Sequence, residues 1–161
     1  MGAYLLQDLV RVREFREDRA SKALSRAQRL VEEAKKSLQE KEKQLKTYKI
    51  WQIEEEERLI QSIMLKKVQI GDIQDLRLDI VALKDKEFEL IDSVKKAEAE
   101  LDRALDELKR AQKKHIETVQ DLEKLLEHRE TWLEEEKAEN ELREELELED
   151  FVSRPLFSEV A

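Results

Sequence analysis

Apolar residues recur at alternating steps of three and four from Ile73 to Trp132. The positions are Ile73, Leu76, Ile80, Leu83, Glu87, Leu90, Val94, Ala97, Leu101, Ala104, Leu108, Ala111, His115, Thr118, Leu122, Leu125, Arg129 and Trp132, and fourteen of the eighteen are apolar. This is the a/d seam of a left-handed coiled coil. A seam this narrow suits one partner helix rather than a globular core. A second seam runs through Ala20, Leu24, Ala27, Val31, Ala34, Leu38, Lys41, Leu45 and Tyr48. Beyond it Gln52 and Glu55 fall on the expected positions while Ile53, Ile60 and Ile63 carry the apolar character, which predicts a local stutter. Leu5, Leu6, Leu9, Val10, Val12 and Phe15 give the first helix a broad apolar start.

Gly71-Asp72 is the break between the seams. Glycine suits the left-handed residue after a helix end, and aspartate suits the N-cap of the next helix. The chain is therefore expected to be all-α: a long antiparallel two-helix coiled-coil hairpin with a flexible C-terminal tail. Helix 1 spans about 3–70, the turn lies near 69–72, helix 2 spans about 73–150, and 151–161 form the tail. The rod is roughly 100 Å long at 1.5 Å per residue. With Gly71 at the centre, residue i faces residue 142 minus i. Val31 then meets Ala111, Leu38 meets Ala104, and Ala34 meets Leu108, so large residues face small ones. The seams alone also accept sums of 135 and 149. A competing architecture keeps Gly71 inside one continuous helix and makes the chain a parallel homodimeric tether.

Composition supports long helices over an enzyme domain. Charged residues make up 44% and aromatics 5%, with two Gly, one Pro and no Cys. No apolar run is long enough to span a membrane, so no direct membrane insertion is expected. The net charge of -9 is unevenly placed. Glu134 to Asp150 holds ten acids and two bases, net -8, while Arg11 to Lys36 holds nine bases and five acids, net +4. The open end is expected to set these two arms side by side. No dominant basic face exists for nucleic acid, so none is expected as a partner.

Candidate chemistry is sparse. His115 and His128 lie thirteen apart, far from the spacing that places two metal ligands on one helix face. His115 reads as a seam residue and His128 as solvated. The glutamate runs read as solvated faces, so no catalytic, cofactor or metal residue is expected. Apolar residues off the seam say more. Ile50, Trp51 and Ile53 lie on outer positions of helix 1, level under the 142 rule with Phe88 and Ile91. They read either as a docking site or as a stutter that turns Ile53 inward with Trp51 covering it. Ile60, Met64, Leu65, Val68, Ile70, Leu78 and Val81 form a second surplus near the turn: a thicker core, a contact tip or a self-association site. Trp132 is expected in the seam, level with Leu9 and Val10.

Three stretches resemble the YscO family of type III secretion proteins, which are FliJ-like. They are Leu9-Val10-Arg11 through Ala20-Ser21-Lys22-Ala23, then Tyr48-Lys49-Ile50-Trp51-Gln52-Ile53-Glu54-Glu55-Glu56-Glu57-Arg58, then Ile80-Val81-Ala82-Leu83-Lys84-Asp85-Lys86-Glu87 with the late Glu-rich arm ending in Glu149-Asp150-Phe151. The resemblance implies a cytoplasmic helical hairpin shaped like the central stalk of rotary ATPases. It implies work with a hexameric secretion ATPase, contact with the cytoplasmic domain of the export gate, and handling of export chaperones. On that reading Tyr48, Trp51 and Phe88 are candidate gate or chaperone contacts. Arg13, Arg16 and Arg19 are candidate contacts to an acidic surface of the ATPase ring.

Overall fold

A computed structural model describes residues 4–158, with side chains placed for 4–153. Two helices account for nearly all of it: α1, Gln7–Met64, and α2, Ile70–Ser158. They run antiparallel, and the fold is an all-α helical hairpin. The break between them excludes the continuous helix that a parallel tether needs. No helix among the described residues is long and apolar enough to cross a membrane.

The turn lies earlier than Gly71. Residues 65–69 connect the helices, and Gly71 sits in the first turn of α2 without a positive φ. Gln69 takes the N-cap position. Its amide donates to the Asp72 carboxylate at 3.1 Å, and the Asp72 amide donates back to the Gln69 carbonyl at 3.1 Å. A carboxylate at the third helical position thus satisfies a free N-terminal amide, as in a capping box, and lies at the favourable end of the helix dipole. Asp72 caps the helix from inside it, not from the residue before it.

The chain divides into two compact units, one of residues 23–112 and one of residues 1–22 with 113–161. In the first, Ala27, Val31 and Ala97 are buried. Ala27, Leu30 and Ala34 share a groove with Ala104, Glu100 and Glu107. The Tyr48 hydroxyl reaches the Leu83 carbonyl. These neighbours fit a pairing sum near 135, one heptad short of 142. Val31 faces Ala104, Leu38 faces Ala97, and Ala34 faces Leu101. Moving the turn towards Lys67 removes seven from the sum, and a one-heptad slip leaves every a and d position on the seam. Large-over-small pairing therefore survives in both registers and could not choose between them.

The second unit keeps the same pairing. Val10 is fully buried against Leu125 and Tyr4, with Leu9, Leu122, Leu126 and Trp132 packed around them. Trp132 joins this core as expected, but it lies level with Tyr4: the two rings are 5.3 Å apart between centroids. The Gln7 amide donates to the Tyr4 carbonyl at 3.1 Å, so α1 begins at Gln7 after a turn that leaves Leu5 exposed. Because Gln7 meets Arg129, no described part of α1 lies opposite α2 beyond about Trp132. Glu134 to Asp150 is exposed along most of its length and has no α1 segment beside it. The expected pairing of basic and acidic arms is thus absent. Arg11 to Lys22 instead face the stretch 113–124. Past Asp150, where the seam pattern stops, α2 continues through Pro155 to Ser158. Glu144 to Val152 contains no Gly or Pro, so nothing in that stretch stops the helix where the seam pattern ends. Residues 159–161 of the expected tail lie outside the described residues.

Candidate docking surfaces

Around Tyr48 the hairpin turns inside out. The seam here carries polar groups, and the outer faces carry apolar ones. Heptad spacing from Leu45 continues through Tyr48, Gln52, Glu55 and Leu59, and all four are shielded, with Gln52 only 7% exposed. No stutter intervenes. Ile53 consequently points outward, as do Ile50, Trp51 and, on α2, Phe88. The alternative in which Ile53 turns inward beneath Trp51 is overturned, since Ile53 is 69% exposed.

The polar seam is satisfied locally. Gln52 Nε2 donates to Glu56 Oε1 at 3.4 Å, and no buried side-chain nitrogen or oxygen among the described residues lacks a partner. Arg58 Nε donates to Glu55 Oε2 at 3.0 Å, and this bond holds the Glu55 carboxyl below the usual range. The Tyr48 hydroxyl donates to the Leu83 carbonyl at 2.6 Å, tying α1 to α2. Burial pushes its phenol above the ordinary value, helped by the nearby carboxylates, Glu87 foremost.

Tyr48 and Trp51 form one aromatic unit, with ring centroids 5.6 Å apart and planes tilted by 41°. They line an open groove with Glu40, Lys43, Gln44 and Thr47 of α1 and Lys86 and Leu90 of α2. One wall is an aromatic face, and Lys43, Lys86 and Glu40 border it, which suits an amphipathic segment with a polar flank. Phe88 is not brought into this groove. With pairing near 135, Trp51 is level with Lys84 rather than Phe88, and Phe88 shares the outer face of α2 with Val81.

The three arginines separate in the same way. Arg13 falls on the seam, half-buried, and its Nη1 donates to the Asp121 carbonyl at 2.9 Å. Arg16 and Arg19 are exposed, and the Arg19 guanidinium lies 5.8 Å from the centroid of Phe15. Two histidine contacts have no signal in the sequence. His115 Nε2 lies 3.2 Å from Glu17 Oε1 within the seam. His128, although exposed, places Nδ1 2.6 Å from the Tyr4 hydroxyl. The corrected pairing brings both sets together, and no local spacing announces them. No group of three or more potential metal ligands gathers among the described residues.

Comparison with known proteins gives a consistent result. The model of the type III secretion protein YscO family matches residues 6–154. The crystal structure of the type III secretion protein YscO from Vibrio parahaemolyticus is similar, with a TM-score of 0.86 and 28% identity. The match covers 91% of this chain and 92% of that one. A YscO homologue from Chlamydia trachomatis has a TM-score of 0.74 at 23% identity, covering 98% and 96% of the two chains, and speaks to the fold alone. No curated protein matches the sequence.

Proposed function

Because the chain belongs to the YscO family of type III secretion proteins, we propose that it is a non-enzymatic stalk and adaptor of the export apparatus. It couples the hexameric secretion ATPase to the cytoplasmic domain of the export gate and handles export chaperones. It works in the cytoplasm, peripheral to the inner-membrane apparatus. The observation that carries this reading is the inverted stretch around Tyr48, where polar groups occupy the seam and Ile50, Trp51 and Ile53 are left outside. Exposed aromatic and aliphatic side chains grouped on a polar helix are what a docking partner covers.

Trp51, backed by Tyr48, is the anchor for a gate or chaperone segment, and Phe88 offers a second contact on a separate face. Arg16 and Arg19 meet an acidic surface of the ATPase ring. Arg13 supports them by fixing α1 against α2, since its guanidinium is already engaged with Asp121.

Titration calorimetry against the purified gate domain and against chaperones tests the anchor. Trp51→Ala is expected to weaken one of these complexes at least tenfold, the scale of an interface hot spot, with helicity unchanged. Unaltered affinity for every partner removes the anchor role. Binding to the ATPase ring is expected to weaken with salt, and Arg16→Glu with Arg19→Glu to flatten that dependence. Salt-independent binding contradicts the basic-face contact.

A further inference from the structure

The outer face of α2 next to the turn carries an apolar stripe that the hairpin does not cover. Ile70, Leu78, Val81 and Phe88 are 78%, 67%, 52% and 68% exposed. At 3.6 residues per turn all four fall within about 80° of the helix circumference. A stripe of this kind marks the side of a helix that packs against a neighbour. The neighbour is not α1, because the seam of α2 already serves α1. Leu76 shares a groove with Leu59 and Ile63, and Leu90 lies beside Tyr48 and Trp51.

The spacing of the stripe says what fits it. The steps are eight, three and seven residues, an order that reads almost the same backwards. Two copies laid antiparallel, α2 against α2, therefore set Ile70 opposite the second copy's Phe88 and Leu78 opposite its Val81. An interface of this form uses one patch on both copies and closes after two. Charge also permits it. Residues 70–88 hold three bases and five acids, net -2, whereas Glu134 to Asp150 carries -8. Two copies of a strongly acidic chain meet with little repulsion on this stretch.

We propose that the Ile70–Phe88 face of α2 is a self-association surface, on which two copies of this chain pair antiparallel. Four large side chains per copy bury on the order of 1,000 Å² in total, the lower end of specific interfaces, so the dimer is weak and reversible. Pairing covers Phe88. Self-association and any partner docked on Phe88 then exclude one another, while the Trp51 groove stays open. The proposal does not depend on the secretion role.

Sedimentation equilibrium of the full chain, from low micromolar to about 0.5 mM, reads the association. The mass is expected to rise from 19.2 kDa towards twice that value. Leu78→Glu with Val81→Glu is expected to hold the chain monomeric with an unchanged helical spectrum. Leu30→Glu, an exposed change on α1, is expected to leave dimerisation intact. The register has its own readout, since the chain has no native cysteine. Chains carrying Gln74→Cys mixed with chains carrying Asp85→Cys are expected to form mixed disulfides in excess of either like pair, whose sulfurs would lie about 16 Å apart along the axis. A chain that stays monomeric at the highest concentration overturns the proposal. So does a dimer indifferent to the glutamates, or a preference for like disulfides.

Discussion

Tyr48 shows how one side chain can serve the fold and the surface together. Its hydroxyl crosses the seam to the Leu83 carbonyl, and its ring backs the exposed face of Trp51. Losing that hydroxyl in Tyr48→Phe is expected to cost about 1 kcal/mol at neutral pH, measured by urea unfolding. The difference should shrink in alkali. The folded phenol holds its proton above the ordinary value of 10.0. Its contribution is therefore fully present below pH 10 and lost as pH rises through the raised value. Tyr48→Phe has no such loss, so the two stability curves should converge above pH 10. A constant gap would show that burial in the seam does not raise the phenol's pKa. Residue roles are the least legible part of the sequence. Arg13 lies on a seam position and reads as a basic-face residue until Asp121 is placed beside it. His128 reads as solvated until the corrected pairing brings Tyr4 to it.

At the scale of the helices, both elements are legible from their periodicity, and their ends are not. The heptad persists through Gln52 and Glu55 because one buried and one half-buried polar residue, each with a local hydrogen bond, can be accommodated in the seam. Periodicity weighed by hydrophobicity alone prefers Ile53 and errs there. The sequence misplaces the turn because Gly71-Asp72 carries a helix-stop signal, whereas the cap in use is Gln69 with Asp72, a pattern less distinctive in sequence. Gly71 tests this directly. Its φ is not positive, and a Cβ there would meet nothing within 4 Å. Gly71→Ala is thus expected to stabilise the protein by about 0.5–1 kcal/mol, read as a higher urea midpoint. Destabilisation would return Gly71 to a left-handed turn.

For the molecule as a whole, the antiparallel hairpin is legible and its register is not. Large-over-small pairing repeats every seven residues, so Ala34 faces a leucine whether the partner is Leu101 or Leu108. Only the position of the turn separates the two, and from it follow the level of Trp51, the separation of Trp51 from Phe88, and the exposed run of α2 beyond Trp132. The two candidate partners lie about 10 Å apart along the helix. Cysteine pairs introduced at Ala34 with Leu101, and at Ala34 with Leu108, distinguish them on mild oxidation of dilute protein. The Ala34–Leu101 pair is predicted to close a disulfide within one chain, at monomer mass, and the Ala34–Leu108 pair to stay reduced. Closure of Ala34 with Leu108 instead, or of neither pair within a single chain, would contradict the hairpin described above.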